Sequence, residues 1–490
     1  MGGMFAVSSK TDCVPDLFYG TDYHSHLGTV RGGLVVQNGD GYTRFIKDIT
    51  NSQFRSKFED DIKRMQGTQG LGVISDYEDQ PLIIGSHLGT YALVTVGRIG
   101  NLEELVKAVC DNRRAHFSEM SGGEINPTEL VATLINEESN FADGIRRVQQ
   151  AVEGSCSIML LTDEGIYAAR DRYGRTPLTL GRKVTDDPDQ AAMSVTMETC
   201  AFPNLDYTRE RYLGPGEIVR ITPDGYEVIQ EPGDEMRMCA FFWVYYGFPA
   251  SSYEGINAEA TRNRCGAALA RNDDVEVDVA AGVPDSGTGH AVGYAAERGI
   301  PYRRPFAKYT PTWPRSFMPQ DQRVRNLVAR MKLIPVRELI ENQRLLFCDD
   351  SIVRGTQLRD TLKRVFDYDA KEVHMRSACP PLVYGCKFLN FSRSKSELDL
   401  AARRAVKDLE QADIAEGTAG AEVLKIYSDQ DSAKYEEMVD WIRNDLGLTS
   451  LKYQRLDDLV EAIGLPKSKL CTFCWTGKDG HPDCSGCSKG

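Results

Sequence analysis

The sequence predicts an α/β and α+β chain. An N-terminal unit has two sheets with helices outside them, and a C-terminal unit is built on a parallel sheet. Three observations carry this reading. Short β patterns crowd residues 2 to about 230, with few helical stretches between them. From about 256, strand and helix patterns alternate, as a parallel sheet requires, because parallel strands are joined by long crossovers. Finally, an apolar run at 345–348 ends in two adjacent carboxylates, then a short polar loop with Gly355 and Thr356, then a helical pattern.

In chain order, β patterns fall at 32–37, 82–85, 91–96, 157–161 and 218–221, and helical patterns at 102–110 and 128–151. Mixed elements of this kind pack as two sheets with helices outside. Pro232-Gly233 and the aromatic run 241–246 mark a boundary that packs rather than flexes. Beyond it the sequence predicts helix 256–271, strand 277–283, helix 288–298, strand 345–348, helix 357–367 and strand 372–376. From about 394 the chain is charged and helical. The expected organisation is therefore a domain over 2–235, a linker over 236–255, a domain over 256–395 and a C-terminal helical segment over 396–490.

A chain of 490 residues has room for two or three domains. A net charge of −13 argues against a general nucleic-acid binder. No apolar run approaches the ~18 residues of a membrane span, and the N-terminus has no basic region followed by an apolar one. Met1-Gly2 is followed by Ala6 where a myristoylation signal carries Ser or Thr. The expectation is a cytoplasmic protein with neither membrane nor nucleic-acid partners. Thirteen cysteines in such a chain do not read as a disulfide framework.

The stretch 345–357 (Leu-Leu-Phe-Cys-Asp-Asp-Ser-Ile-Val-Arg-Gly-Thr-Gln) carries the most chemistry. Ligands of open parallel sheets bind beyond the carboxyl ends of the strands. A run of backbone N–H groups entering a helix suits a phosphate. Asp349 and Asp350 suit ribose hydroxyls or hydrated Mg²⁺ instead. One element thus combines sites for a sugar, a phosphate and a metal.

This stretch resembles the 5-phosphoribosyl-1-pyrophosphate (PRPP) signature of type I phosphoribosyltransferases. Upstream lie Val283-Pro284-Asp285-Ser286-Gly287, Gly293-Tyr294, Lys308-Tyr309, Arg315-Ser316-Phe317 and Lys332-Leu333. In that order they resemble the amidophosphoribosyltransferases, glutamine-PRPP amidotransferases that open purine biosynthesis. The resemblance is dense over 255–400 and traceable over most of the chain. It implies an N-terminal αββα glutaminase-like domain and a C-terminal phosphoribosyltransferase domain. It also implies PRPP binding by Asp285, Ser286, Gly287, Lys308, Arg315, Lys332, Asp349, Asp350, Ser351, Arg354, Gly355 and Thr356, with Mg²⁺ on Ser286, Asp349 and Asp350. The segment 308–322 around Trp313 reads as a mobile cover that excludes water. A homo-oligomer is a further implication.

The glutaminase half departs from the family. Residues 3–7 match its first strand, but the family's nucleophilic cysteine position is Gly2. The arginine segment that holds the glutamine carboxylate aligns with Ser75-Asp76-Tyr77-Glu78. The asparagine-bearing oxyanion segment aligns with Arg98-Ile99-Gly100-Asn101-Leu102, and the acid that binds the glutamine amine falls at Pro127. One missing oxyanion donor alone costs about 10²–10³ in rate. Cys13 as a processed replacement is followed by Val14-Pro15-Asp16, which does not match the strand pattern. Ammonia, free or from a partner enzyme, is then the expected nitrogen source. Fold cues persist at 169–171, Gly174, Pro177, Leu178 and 213–217.

Cys471-x-x-Cys474 and Cys484-x-x-Cys487 have the spacing of a zinc knuckle. The resemblance instead implies a [4Fe–4S] cluster on Cys239, Cys386, Cys471 and Cys474. Three readings of function follow. The first is a PRPP amidotransferase-like enzyme making 5-phosphoribosylamine and pyrophosphate. The second is a degenerate PRPP- or nucleotide-binding regulator. The third is a phosphoribosyltransferase with another acceptor.

Overall fold

The computed structural model describes residues 2–39, 41–76, 78–111, 117–118, 120–121, 123–309, 333–389, 397–411 and 418–478. The N-terminal half holds two antiparallel sheets. One runs Tyr207–Tyr212, Thr179–Lys183, Ala192–Thr196, Gly3–Ser9, Gln69–Ser75, Arg31–Asn38 and Gly41–Asp48. The other runs Gly225–Gln230, Ile218–Thr222, Gly165–Ala169, Gly154–Thr162, Gly89–Ile99 and Leu82–Ser86. The strand Gly3–Ser9 is buried along its whole length. Its side chains alternate with period two. Met4 and Ala6 meet Val94, Val96, Met159 and Leu161 of the facing sheet. Phe5 and Val7 meet Leu17, Phe18 and Phe54 on the outside. Tyr91, Leu93, Ile158 and Leu160 are covered on their outer side by Leu130, Leu134, Ile145 and Val148. Helix, sheet, sheet, helix is the layering the sequence predicts.

The helical pattern over 128–151 is in fact two helices, Pro127–Ile135 and Phe141–Ala151. The break follows from local chemistry. Asn140 takes an extended conformation and its side chain accepts the Asp143 N–H, which starts the second helix.

The aromatic run packs, as expected. Phe242–Tyr246 is a single π-helical turn, and Phe242, Trp243 and Val244 are buried in the core shared by both halves. Arg262 ties it down, donating to the carbonyls of Trp243 (3.1 Å) and Gly247 (2.7 Å).

The C-terminal half centres on a parallel sheet ordered Val279–Gly282, Arg344–Asp349, Glu372–Ser377 and Ser450–Tyr453. The last strand corrects the expected organisation. The segment 396–490 is not only helical, because it supplies an edge strand of this sheet. Four residues of mixed polarity (Ser450, Leu451, Lys452, Tyr453) leave too short a pattern to stand out within a charged stretch. Helices Ala258–Arg271 and Thr288–Arg298 cover one face through Leu269, Ala291 and Tyr294. Leu362, Val365, Met438 and Ile442 cover the other.

Under the sheet lies an ion pair that sequence patterning does not show. Arg376 (1% exposed) donates to Asp273 at 2.5 and 2.9 Å, and the Tyr294 hydroxyl donates to the same carboxylate at 2.7 Å. Burial alone would raise the Asp273 carboxyl, but these donors outweigh it and hold it near 2. A depressed acid stabilises the fold above its unfolded value of 3.8 and loses that contribution as pH falls through 2. Arg376→Met is expected to cost about 3 kcal/mol by taking from the buried Asp273 carboxylate its guanidinium partner, leaving it the Lys452 ammonium (3.3 Å) and the Tyr294 hydroxyl. In urea melts, that deficit should shrink steadily below pH 4.

Candidate active site

The carboxyl ends of two adjacent parallel strands build the site. Val283 N–H donates to the Cys348 carbonyl at 2.9 Å, so the loop 283–287 lies directly against the end of Arg344–Asp349. Gly287 is required by this approach, since a Cβ there would sit 2.2 Å from the Cys348 carbonyl oxygen. The Pro284–Asp285 peptide is cis. The loop places the Ser286 hydroxyl in hydrogen-bond contact with the Asp350 carboxylate. Ser351 Oγ donates to Asp350 Oδ1 at 2.6 Å, and Asp350 N–H donates to Asp349 Oδ1 at 2.9 Å. Ser286, Asp349, Asp350 and Ser351 therefore form one group, as the sequence predicts.

Burial first, and the neighbouring carboxylate second, push the Asp349 carboxyl well above its usual range. Burial also raises Asp350, against the hydrogen bonds it accepts from Ser286 and Ser351. Two adjacent acids held this way are short of positive charge. Hard oxygen donors in that state fit Mg²⁺, which is commonly held by one or two carboxylates plus substrate phosphates. Among the described residues no three His, Cys, Asp or Glu side chains converge on one ion.

Gly355 has φ +73° and caps the helix Thr356–Asp367, so the chain enters the helix through a left-handed residue. Arg359 N–H closes the first turn onto the Gly355 carbonyl at 2.9 Å. Arg354 pairs with Asp399 at 3.2 Å, and its carbonyl accepts from Arg404. The Lys308 ammonium pairs with the Asp285 carboxylate, joining the strand Phe306–Lys308 to the loop. Arg315 and Lys332 lie outside the described residues, as do Trp313 and most of the expected cover 308–322.

In the N-terminal half, Gly2, Ser75, Asp76, Arg98, Ile99 and Pro127 line a single cavity. These are the positions at which the sequence departs from the glutaminase pattern. A Cβ on Gly2 would lie 2.3 Å from the Ile74 carbonyl oxygen. The nucleophile position is thus closed by backbone as well as lacking a thiol. Cys156 also lines the cavity, but burial, with Asp171 and Glu78 adding to it, pushes its thiol up to about 12. Cys13 is buried in the outer core with Leu17 and Phe18, and burial raises its thiol strongly. Neither is an activated nucleophile. Ser155, Thr95 and Cys156 were not singled out from sequence, since they are ordinary small residues in strands. Their only sequence signal is their place on strands that meet the 75–78 turn.

The fold cues have structural work. Arg170 is fully buried and bonded to Glu254 (2.7 Å) and to the Thr176 carbonyl (2.7 Å). Asp171 accepts from the Arg175 and Thr176 N–H groups, each at 3.0 Å.

Cys239, Cys386, Cys471 and Cys474 line another cavity. The two-strand parallel ladder pairing Cys239 with Cys471 brings the linker to the C-terminal segment. A hydrogen bond with Cys474 holds the Cys386 thiol down to about 6, and that bond together with burial raises Cys474. Cys484 and Cys487 lie outside the described residues.

Fold and site define the class: an N-terminal-nucleophile glutaminase scaffold fused to a type I phosphoribosyltransferase. A chloroplastic amidophosphoribosyltransferase of Vigna aconitifolia is 32% identical over 407 residues, covering 81% of this chain and 73% of that protein. The chain belongs to the amidophosphoribosyltransferase family. The amidophosphoribosyltransferase of Methanocaldococcus jannaschii is 27% identical over 98% of this chain and 97% of its own. The solved glutamine PRPP amidotransferase of B. subtilis, complexed with ADP and GMP, superposes with a TM-score of 0.81 at 26% identity, over 98% of each chain. A glutamine amidotransferase domain model matches residues 70–193. No helix among the described residues is long and apolar enough to cross a membrane.

Proposed function

We propose that this chain transfers the phosphoribosyl group of PRPP to ammonia, giving 5-phosphoribosylamine and pyrophosphate, the first step of purine biosynthesis, without hydrolysing glutamine itself. One contrast carries this reading: the acid pair with its Ser286 and Ser351 partners is assembled, while backbone closes the nucleophile position of the other half. The loop 285–287 receives the pyrophosphate. The N–H groups of 352–356 at the helix entrance receive the 5′-phosphate. Ser286, Asp349 and Asp350 would hold Mg²⁺, which neutralises the leaving pyrophosphate. Lys308 exchanges Asp285 for pyrophosphate oxygens when substrate arrives, and Arg315, Lys332 and Arg354 add positive charge around it. Covering the site keeps water from competing with the amine at the anomeric carbon.

Incubating the purified chain with PRPP, Mg²⁺ and ammonium chloride tests this. Pyrophosphate should appear in an ammonium-dependent, saturable manner, and its absence with ammonium overturns the reading. A partner that supplies ammonia, a homo-oligomer and a cytoplasmic location belong to the same proposal.

For the four thiols, which line one cavity together, the same proposal assigns a [4Fe–4S] cluster, with zinc as the alternative. Four thiolates suit either. A cluster there would staple linker, transferase sheet and C-terminal segment together. Anaerobically purified protein is expected to carry about four iron atoms per chain, the stoichiometry of a Cys₄ [4Fe–4S] site. Cys474→Ser should lose them and lower the melting temperature. Stoichiometric zinc with no iron would overturn the assignment.

A further inference from the structure

The cavity at the closed nucleophile position is polar in a way that neither the glutaminase pattern nor the transferase chemistry explains. It has an inner volume of about 40 Å³ and about 530 Å³ counting its mouth. At ~10–15 Å³ for a water, the inner part takes roughly three or four water-sized groups. Asp76 and Glu78 stand on its wall, with Ser75, Thr95, Arg98 and Ser155.

Ser155 is 2% exposed, lines this cavity, and its Oγ has no hydrogen-bond partner among the described residues. A buried hydroxyl without a partner is unfavourable, so a ligand that satisfies it is favoured there. It stands opposite Arg98 on the neighbouring strand. The local charge is negative. The cavity's charged lining residues are two acids, Asp76 and Glu78, and one arginine, Arg98, which donates one N–H to the Cys386 carbonyl at 2.7 Å. Asp76 also accepts the Thr29 N–H at 3.3 Å, which fixes its position. The Ser75 hydroxyl donates to the Glu78 carbonyl at 2.7 Å and so holds the turn closed around the wall.

We propose that this cavity is a binding site for a small ammonium cation. Asp76 and Glu78 supply the charge, and Ser155 Oγ accepts one N–H. The acids involved are not at the position of the family's amine-binding acid, which is Pro127 here. The site is thus built from this chain's own replacements. The proposal does not rest on the transferase reading, because the cavity belongs to the other half of the molecule.

Methylammonium chloride is the probe, titrated into the full chain and followed by saturation transfer to its methyl protons. Saturable binding is expected, with none for sodium acetate and binding at least tenfold weaker for tetramethylammonium, which has no N–H. Ser155→Ala should weaken methylammonium at least threefold, and the Asp76→Asn, Glu78→Gln double variant at least tenfold. Asp350→Asn should leave it unchanged, which separates this cavity from the transferase site. Absence of saturable binding would overturn the proposal. So would binding that survives the double variant, or that is lost in Asp350→Asn.

Discussion

Asp350→Asn is expected to lower ammonium-dependent pyrophosphate release about 10³-fold in kcat/KM while leaving the protein folded. The neutral amide keeps the shape but removes an anionic oxygen from the position that fits Mg²⁺. A loss of 10³ corresponds to about 4 kcal/mol of transition-state stabilisation, within what a bound metal contributes. Stability should move the other way. The Asp350 carboxyl is raised from its usual 3.8 by burial, so ionising it costs folding free energy as pH rises above that value. The amide has no such cost, and the melting temperature at neutral pH should hold or rise. Steady-state kinetics across a Mg²⁺ series, with thermal melts on the same samples, check both halves. A fully active Asp350→Asn chain would remove this carboxylate from the mechanism.

Gly2→Cys is expected to restore no glutaminase activity. In a family defined by a cysteine at this place, one substitution back is the natural repair. The structure says it fails for two reasons. The new Cβ would meet the Ile74 carbonyl oxygen at 2.3 Å, and a backbone atom in a central strand cannot swing aside as a side-chain end can. Overpacking of this kind costs about 1–3 kcal/mol. Even a tolerated thiol would face Ser75 and Ile99, which lack the guanidinium and the side-chain amide that the family uses for the glutamine carboxylate and the oxyanion. Glutamate release from glutamine should stay at background, with a lowered melting temperature. Measurable turnover would show that one residue separates this cavity from a working glutaminase.

The parallel-sheet half was legible because its information is local. The run 345–348, the acids 349–350 and Gly355 are contiguous, and the structure places them as strand end, acid pair and helix cap. The cysteine set was legible only through resemblance, since 239, 386 and 471 are far apart in sequence: a two-residue ladder pairs Cys239 with Cys471, and Cys386 lines the same cavity. The departures from the glutaminase pattern could be listed from aligned positions. That its nucleophile position is also closed could not, because the obstacle is a main-chain carbonyl 72 residues away from Gly2 (74 minus 2). Ser155 stayed hidden for a similar reason: a serine in a strand signals nothing until its neighbours across the sheet are known. The edge strand Ser450–Tyr453 was missed because its pairing partner, and not its own composition, makes it a strand.

The most direct test of the account compares two nitrogen donors on one preparation of the purified chain. Pyrophosphate release from PRPP and Mg²⁺ is measured with ammonium chloride alone and with glutamine alone, at matched pH. The account predicts saturable release with ammonium and background release with glutamine. Release with glutamine at a rate comparable to ammonium would contradict it, and would mean that a nucleophile works in the N-terminal half despite Gly2, with Cys13 the first to be tested.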